Sequence, residues 1–379
     1  MKKIGIITFH STINYGVYLQ AYALQHVIRN MGFSSEIIDY NKMVEDDEHK
    51  QKRKNLIYRL VHINDTIKAI KLRKFRASFD SAHREKLFSE FGNAHFNLSK
   101  RIDSYQELKK ISNNYDCFVC GSDQIWNPNY TKGNPAYFLT FAEPNKRVMY
   151  AASYGVTDIT LFERYRELYK TMINELRGLS VRETSGAELT KQLSGRTPEV
   201  VVDPTLLLSA SEWRKMEKKP NDVPEKYILF YVLGNDKRYS ILAKKLSREK
   251  GMKVLTIPMT PIWKKTNDIE FVYAGVNHFL YLIDHAEYVI TDSFHGVAFS
   301  TIFRKQFTAL QREDTKFCLL SRIEDYLEKV NLINSCKTIP FLLENTIDWS
   351  TDYTLYEQVF PKWKDKSYQY LKDFLTQEG

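Results

Sequence analysis

The stretch from Tyr288 to Phe303 constrains the fold more than any other part of the chain. Its first residues, Tyr-Val-Ile-Thr, are typical of a buried β-strand, and the residues from Val297 onward are apolar on nearly every side, as in a buried helix. Between them stand Asp292 and Ser293, two residue types that cap helices. The stretch therefore predicts a strand-loop-helix unit, with its loop at the carboxyl end of a strand, where open α/β sheets bind ligands.

This loop also carries His295, which we predict to be catalytic. An imidazole gives or takes a proton near neutral pH, and the uncapped N–H groups of a helix N-terminus attract anions. Asp292, Ser293 and Gly296 are candidate substrate-binding residues, and Gly296 would let the backbone approach a ligand closely. The alternative is that His295 only hydrogen-bonds a neighbouring loop.

The rest of the chain alternates strands and helices in the same way. A strand near Lys3–Thr8, a loop, a helix and a strand at Glu36–Asp39 form a β-loop-α-β unit, and the second half repeats the pattern. We predict an α/β fold with two Rossmann-like domains facing a cleft. The predicted domains are residues 1–195, with a basic helical insertion at about 42–110, and residues 196–350. Residues 351–379 predict a helix that crosses back to the first domain.

Polar residues follow several of the predicted strands. The candidate substrate-binding residues at these positions are Asn14, Tyr15, Gly16, Gly121, Ser122, Asp123, Gln124 and Ser153. Arg182 closes another strand just before a helix start, where a guanidinium would clamp a phosphate or carboxylate. A surface ion pair between Arg182 and Glu183 is the alternative there, and for residues 14–16 it is a simple turn.

The formal net charge of +9 suits an anionic ligand, a nucleic acid or an anionic membrane surface, and does not choose among them. Basic residues concentrate between Lys50 and Arg76. Amphipathic helices there would rest on an anionic membrane face or an acidic glycan, or would present a solvated surface. No apolar run reaches the length of a membrane span, and no secretory cleavage pattern is present. We expect a cytoplasmic protein, with a peripheral position at the inner membrane face left open.

Neither the cysteines nor the histidines predict a metal site. Cys117 and Cys120 form a Cys-x-x-Cys, but they lie within a predicted buried strand, where this spacing points them to opposite faces. Packing explains them better than joint metal binding. The nine histidines are scattered, without a pair at ligand spacing beside carboxylates.

Taken in order, these motifs resemble the polysaccharide pyruvyl transferase family over most of the chain. The resemblance rests on Asn14-Tyr15-Gly16 with Leu19–Leu24, Gly121–Gln124 with Trp126-Asn127, Val181–Glu183, Asp203–Thr205 and Asp292–Gly296. It implies a glycosyltransferase-B-like fold and the transfer of pyruvate from phosphoenolpyruvate onto two hydroxyls of a sugar, as a cyclic ketal. The setting would be bacterial exopolysaccharide or capsule synthesis. His295 would be the catalytic histidine and Arg182 the donor-binding cation, with no further cofactor.

The chain departs from the family pattern at one position. Some members carry a basic residue two places before the catalytic histidine, where this chain has Ser293. Arg182, or a cation that the motifs do not identify, would have to take that role. The expected partners are phosphoenolpyruvate and a saccharide acceptor, with a lipid-linked acceptor left open, and no nucleic acid.

Two other functions stay open. The first is a nucleotide-sugar-dependent glycosyltransferase, since one architecture serves several reactions. The second is a non-catalytic binder of nucleic acid or membrane through the basic helices between Lys50 and Arg76.

Overall fold

The computed structural model describes residues 1–40, 81–260, 262–312 and 321–377. Its strands are β1 (Lys3–Ile7), β2 (Ser34–Ile37), β3 (Cys117–Cys120), β4 (Arg147–Met149), β5 (Ser180–Val181), β6 (Glu199–Val200), β7 (Tyr227–Tyr231), β8 (Lys253–Thr256), β9 (Ile269–Phe271), β10 (Tyr288–Thr291), β11 (Phe307–Leu310) and β12 (Cys336–Lys337). The basic segment between Lys50 and Arg76 lies outside the described residues, so the membrane- or glycan-binding helices there stay a prediction.

The helices alternate with these strands. They are α1 (Tyr15–Asn30), α2 (Ser81–His95), α3 (Tyr105–Ile111), α4 (Pro128–Thr131), α5 (Arg166–Asn174), α6 (Thr184–Ser194), α7 (Ala210–Arg214), α8 (Arg238–Lys250), α9 (Val276–Asp284), α10 (Phe294–Ile302), α11 (Ser321–Lys329), α12 (Ile339–Glu344) and α13 (Thr354–Thr376). Short 3-10 turns cover Ser112–Asn114, Pro135–Phe138, Pro144–Lys146, Ile159–Tyr165, Pro204–Leu207 and Ile333–Ser335.

The first lobe is built on a parallel sheet in the order β2-β1-β3-β4. The parallel bridges Val148–Gly178 and Ala152–Val181 join its β4 edge to the pair β5-β6. Because the chain moves from β1 to β2 on one side and to β3 on the other, the strand order reverses beside β1. Loops at such a reversal leave a crevice open at the carboxyl ends of the strands.

The second lobe repeats this design with a parallel sheet in the order β12-β11-β10-β7-β8-β9. Its strand order reverses between β7 and β10. The loop after β10 contains Asp292 and Ser293, in the strand-loop-helix unit that the sequence predicted. The described residues thus form the two Rossmann-like lobes that the sequence predicted.

The two lobes pack through aromatic side chains close to their strand ends. Tyr15, at the start of α1, stacks on Phe279 of α9 with ring centroids 4.4 Å apart, and its hydroxyl donates to the carbonyl of Ala274. Leu87 of α2 lies so near Gly275 that a Cβ there would be 2.8 Å from the leucine Cβ. These contacts hold the two crevices against each other.

Helix α13 returns from the second lobe and lies on the first. Its Ser367 Oγ accepts from the N–H of Val202, and the Trp363 Nε1 donates to the carbonyl of Val200. Near its end, Arg177 donates to the carbonyl of Phe374, and Lys2 donates to the carbonyl of Gln377. Both described ends of the chain therefore lie on the first lobe.

Candidate functional site

His295 lies where the strand-order reversals of the two lobes meet. It stands in the first turn of α10, and the side chain of Ser293 caps this helix by accepting from the N–H of Gly296. The residue is 8% exposed, and its Nε2 has no hydrogen-bond partner. That nitrogen is 3.7 Å from Asp203 Oδ2, beyond hydrogen-bond distance. Catalytic hydrogen bonds are often this long before substrate binds.

Asp203 is the anionic centre of the site and is fully buried. Its Oδ2 accepts from Arg182 Nη1 at 2.8 Å and from the Ser122 hydroxyl at 3.0 Å, while its Oδ1 accepts from the N–H and hydroxyl of Thr205. Burial alone would raise the pKa of Asp203, but His295, Arg182 and Thr205 outweigh it, so the pKa is lowered and the carboxylate stays ionised.

Arg182 is 3% exposed and stands behind the cavity wall. Its guanidinium lies over the ring of Phe294, 4.4 Å from the centroid, and Asp123 is 3.9 Å from Nη2. The pair with Glu183 that was considered as an alternative does form, with Nε and Oε2 3.7 Å apart, but it does not lie at the surface, because Glu183 is also buried, with 1% exposed. The role of Arg182 as a donor clamp stays a prediction. In this structure the guanidinium pairs with Asp203.

Glu183 holds the loop that follows β4. Its Oε1 accepts from the Ser153 hydroxyl and the N–H of Tyr154, both at 2.9 Å. Gly155 has a φ of +64°, and a Cβ there would lie 2.1 Å from Gln124 Oε1. The candidate Ser153 thus supports the neighbouring Gln124 loop rather than lining the cavity.

Asp292 fastens the two loops of the second lobe together. Its carboxylate accepts from the N–H groups of Leu233 and Gly234, from the Tyr239 hydroxyl, and from Arg312 Nε at 2.9 Å. These four donors occupy both carboxylate oxygens, so Asp292 shapes the cavity and positions Arg312.

A cavity of about 90 Å³ lies between the lobes. Its lining residues from the first lobe are Asn14, Asp123 and Gln124, and from the second Leu233, Asp292, Ser293, Phe294, His295, Arg312, Arg322 and Ile323. One wall offers amide and carboxylate groups and the other an imidazole and two guanidinium groups. The sequence therefore identified six of these residues, and topology brought them together from the two halves of the chain.

Other candidates lie beside this cavity instead of facing it. Tyr15 is fully buried in the contact between the lobes. Gly121 has a φ of +146°, and a Cβ there would lie 1.7 Å from the carbonyl oxygen of Tyr150. Gly296 faces the Thr291 side chain, with a Cβ position 2.2 Å from Oγ1. Ser122 is buried against Asp203. Their substrate contacts stay predictions.

The His295 ring packs directly against Gly16. A Cβ on this helical glycine would lie 2.0 Å from Nδ1, so any side chain there must displace the imidazole. Asn14, whose Oδ1 accepts from the N–H of Gly16, caps the helix and fixes this position.

Gly16→Ala is expected to lower turnover roughly 100-fold, because misplacing a catalytic group by about 1 Å can cost that much, and to lower stability by roughly 1–3 kcal/mol, because the added methyl group overpacks a buried contact. Steady-state rates and thermal unfolding measure the two effects. Gly92→Ala is the matched control, since a Cβ on this helical glycine meets its nearest atom at 3.5 Å. A Gly16→Ala variant with the wild-type rate would show that the ring position is not needed.

Among the described residues, one group has the donor atoms for a metal ion: Glu217, Asp284 and His285, whose candidate atoms lie within 4.8 Å of one another. The Asp284 carboxylate is already bound by Arg214 through both oxygens. The group sits at the amino end of β10, opposite the His295 cavity.

A model of the polysaccharide pyruvyl transferase family matches residues 14–314. The chain belongs to this family. The match spans the candidate residues from Asn14 to Gly296 and ends before Arg322. Family membership makes the protein a transferase that acts with a donor and a saccharide acceptor. No curated protein matches the chain.

Solved structures of similar fold include UDP-GlcNAc 2-epimerases. The enzyme from Methanocaldococcus jannaschii is 13% identical, with a TM-score of 0.53 over 95% of this chain and 98% of that one. The enzyme from Neisseria meningitidis is 11% identical, with a TM-score of 0.52 over 99% of both chains. At these identities the likeness establishes the glycosyltransferase-B-like fold alone. No helix within the described part of this family member is long and apolar enough to cross a membrane.

Sequence reasoning missed four features of the site: Arg312, Arg322, the stacking of Phe294 under Arg182, and the role of Asp203. For Asp203 the motif Asp203-Pro204-Thr205 was a usable signal. Arg312 and Arg322 carry no local motif, and only the fold shows that they face the cavity.

Proposed function

We propose that this family member transfers the pyruvyl group of phosphoenolpyruvate onto two hydroxyls of a sugar in a cell-surface polysaccharide precursor, as a cyclic ketal. The observation that carries the proposal is the position of His295, whose Nε2 lacks a partner at a cavity lined by two guanidinium groups. Phosphoenolpyruvate needs both features, because it carries a phosphate and a carboxylate and must be protonated on carbon.

The reaction divides into balanced steps. A proton is added to the methylene carbon of the donor, which becomes a methyl group, and positive charge develops on the adjacent carbon. One sugar hydroxyl adds to that carbon and loses its proton. The carbon–oxygen bond to phosphate then breaks, and the second hydroxyl adds and loses its proton. One of the two hydroxyl protons replaces the proton consumed, and the other leaves with the phosphate.

His295 is suited to the first and second steps, as it can deliver a proton to carbon and then accept one from a hydroxyl. Asp203, whose Oδ2 lies 3.7 Å from the ring Nε2, would stabilise the imidazolium by its charge while Nε2 stays free to transfer the proton. On the facing wall, Asn14, Asp123 and Gln124 offer the hydrogen-bonding groups that sugar hydroxyls require.

The test is to incubate the purified protein with phosphoenolpyruvate and a panel of glycans, measuring phosphate release and ketal formation by mass spectrometry and NMR. Parallel reactions with UDP-sugars test the glycosyltransferase alternative. Ketal formation that depends on His295 supports the proposal. UDP release with glycosyl transfer, and no ketal from any glycan, would reject it.

A lipid-linked acceptor and a peripheral position at the membrane remain part of the proposal. Both would be served by the basic segment between Lys50 and Arg76. Binding to vesicles containing anionic lipid, compared with neutral vesicles, measures this contact directly.

A further inference from the structure

Arg322 lies at the start of α11 and lines the cavity together with His295 and Arg312. Its Nε is buried and has no hydrogen-bond partner. Among the described residues, the guanidinium forms neither a hydrogen bond nor an ion pair. The residue as a whole is half-buried. A guanidinium partly removed from water without a partner is unusual, because desolvating a charge is costly.

The nearby carboxylates do not relieve this charge. Asp203 is paired with Arg182, and Asp292 with Arg312. Glu183 Oε1 accepts from Ser153 and Tyr154, and its Oε2 has no hydrogen bond but lies 3.7 Å from Arg182 Nε. Asp123 lies nearest to Arg182, at 3.9 Å. Burial, assisted by repulsion from Arg182 and Arg312, lowers the pKa of Arg322 to about 10 despite the attraction of Glu183 and Asp123.

A second residue with an unpartnered nitrogen lines the same cavity. His295 stands at the N-terminus of α10, an end that favours anions, and its Nε2 is buried without a hydrogen bond, 3.7 Å from Asp203 Oδ2. Side chains from two different helices, Arg322 of α11 and His295 of α10, thus border one cavity. An oxyanion held there would pair with the Arg322 guanidinium beside that helix N-terminus.

We propose that Arg322 is a donor-binding residue whose guanidinium pairs with an oxyanion group of phosphoenolpyruvate. The assignment rests on the proposed function for the identity of the donor, and on the geometry for the site itself. Arg322 lies beyond residue 314, where the family match ends. It supplies the unpaired positive charge that Arg182 and Arg312, each bound to an aspartate, do not.

Helix α11 also connects this site to the first lobe. Asp325, one turn after Arg322, accepts from the N–H of Thr184 at 3.1 Å, and Lys329 binds Asp325 at 2.9 Å. Thr184 begins α6, directly after Arg182 and Glu183. The helix that carries Arg322 is therefore fixed to the element that carries the buried Arg182–Asp203 pair.

The test compares Arg322→Met with the wild type by titration calorimetry, using phosphoenolpyruvate and inorganic phosphate as probes. Methionine keeps much of the side-chain volume and removes the charge. We expect the Kd for phosphoenolpyruvate to rise about 10- to 100-fold, the range of charge-assisted hydrogen bonds. The melting temperature should equal or exceed that of the wild type, because an unpaired, half-buried charge is removed.

Two further variants calibrate this result. Arg322→Lys keeps a charge but not the planar fork, and should give an intermediate Kd. Arg248→Met removes a guanidinium that is 74% exposed on α8, and should leave the Kd unchanged. These controls separate the local effect from the loss of one positive charge overall.

Each remaining outcome decides between the two proposals. If the protein forms ketals and Arg322→Met binds phosphoenolpyruvate with wild-type affinity, the role of Arg322 is overturned and the function stands. If phosphate binding requires Arg322 but no ketal forms, the oxyanion site stands and the function fails. A markedly lower melting temperature in both Arg322→Met and Arg322→Lys would make Arg322 a structural residue. Wild-type protein that binds neither probe would overturn both proposals.

Discussion

Replacing His295 with alanine should reduce the turnover number by roughly 10²–10⁴-fold, the contribution typical of a general acid-base group. This residue lines the cavity, and its Nε2 is buried without a hydrogen-bond partner. Without it, protonation of the donor carbon would depend on water. The fold should persist, because that nitrogen makes no hydrogen bond within the structure.

Steady-state rates of phosphate release measure this effect, and thermal unfolding checks the fold. His285→Ala provides the control, since this histidine lies at the opposite end of β10 and is 46% exposed at its side chain. A His295→Ala enzyme within threefold or so of the wild-type turnover would remove His295 from the chemistry. Loss of activity in both variants would indicate a general effect on the protein.

Replacing Arg182 with alanine should cost roughly 3–5 kcal/mol of stability, the range for breaking a buried ion pair. Asp203 and Glu183 would both remain buried, with 0% and 1% exposed, and the chief counter-ion of Asp203 would be gone. The ring of Phe294 would also lose the cation that lies over it. The largest effect is therefore expected in folding, with weaker donor binding following from the damaged site.

Urea unfolding measures this loss as a lower midpoint at unchanged slope. The double variant Arg182→Met with Asp203→Asn should recover part of it, because both charges leave together. Arg182→Ala with wild-type stability and a much weaker affinity for phosphoenolpyruvate would contradict this account. That result would instead support the direct clamp expected from the sequence.

Local patterns in the sequence predicted the elements that build the site. Three neighbouring features form the strand-loop-helix unit: the apolar strand before Asp292, the capping residue Ser293 and the buried helix after it. They lie within a few residues of one another, so a local sequence pattern is sufficient to predict them. The same holds for Asn14, which caps α1. These patterns therefore predicted that the carboxyl-end loops of both lobes share one cleft.

Pairing across the chain could not be predicted in this way. Arg182 was expected to reach the donor because it ends a strand near a helix start, but Asp203 on the next strand connection binds it first. Arg322 is separated from His295 by β11 and shares no pattern with it. One arginine is neutralised by an aspartate and another faces the cavity. This difference depends on distances between side chains that are far apart in the sequence and meet only in the folded chain.

The contact between Gly16 and His295 means that the imidazole and the surface it rests on come from opposite lobes. If the lobes separate to admit the sugar, the ring loses that surface and is free to turn away. Proton transfer would then occur only in the closed enzyme, after the sugar acceptor has been enclosed between the lobes. Such an arrangement would prevent hydrolysis of the donor when no sugar is bound.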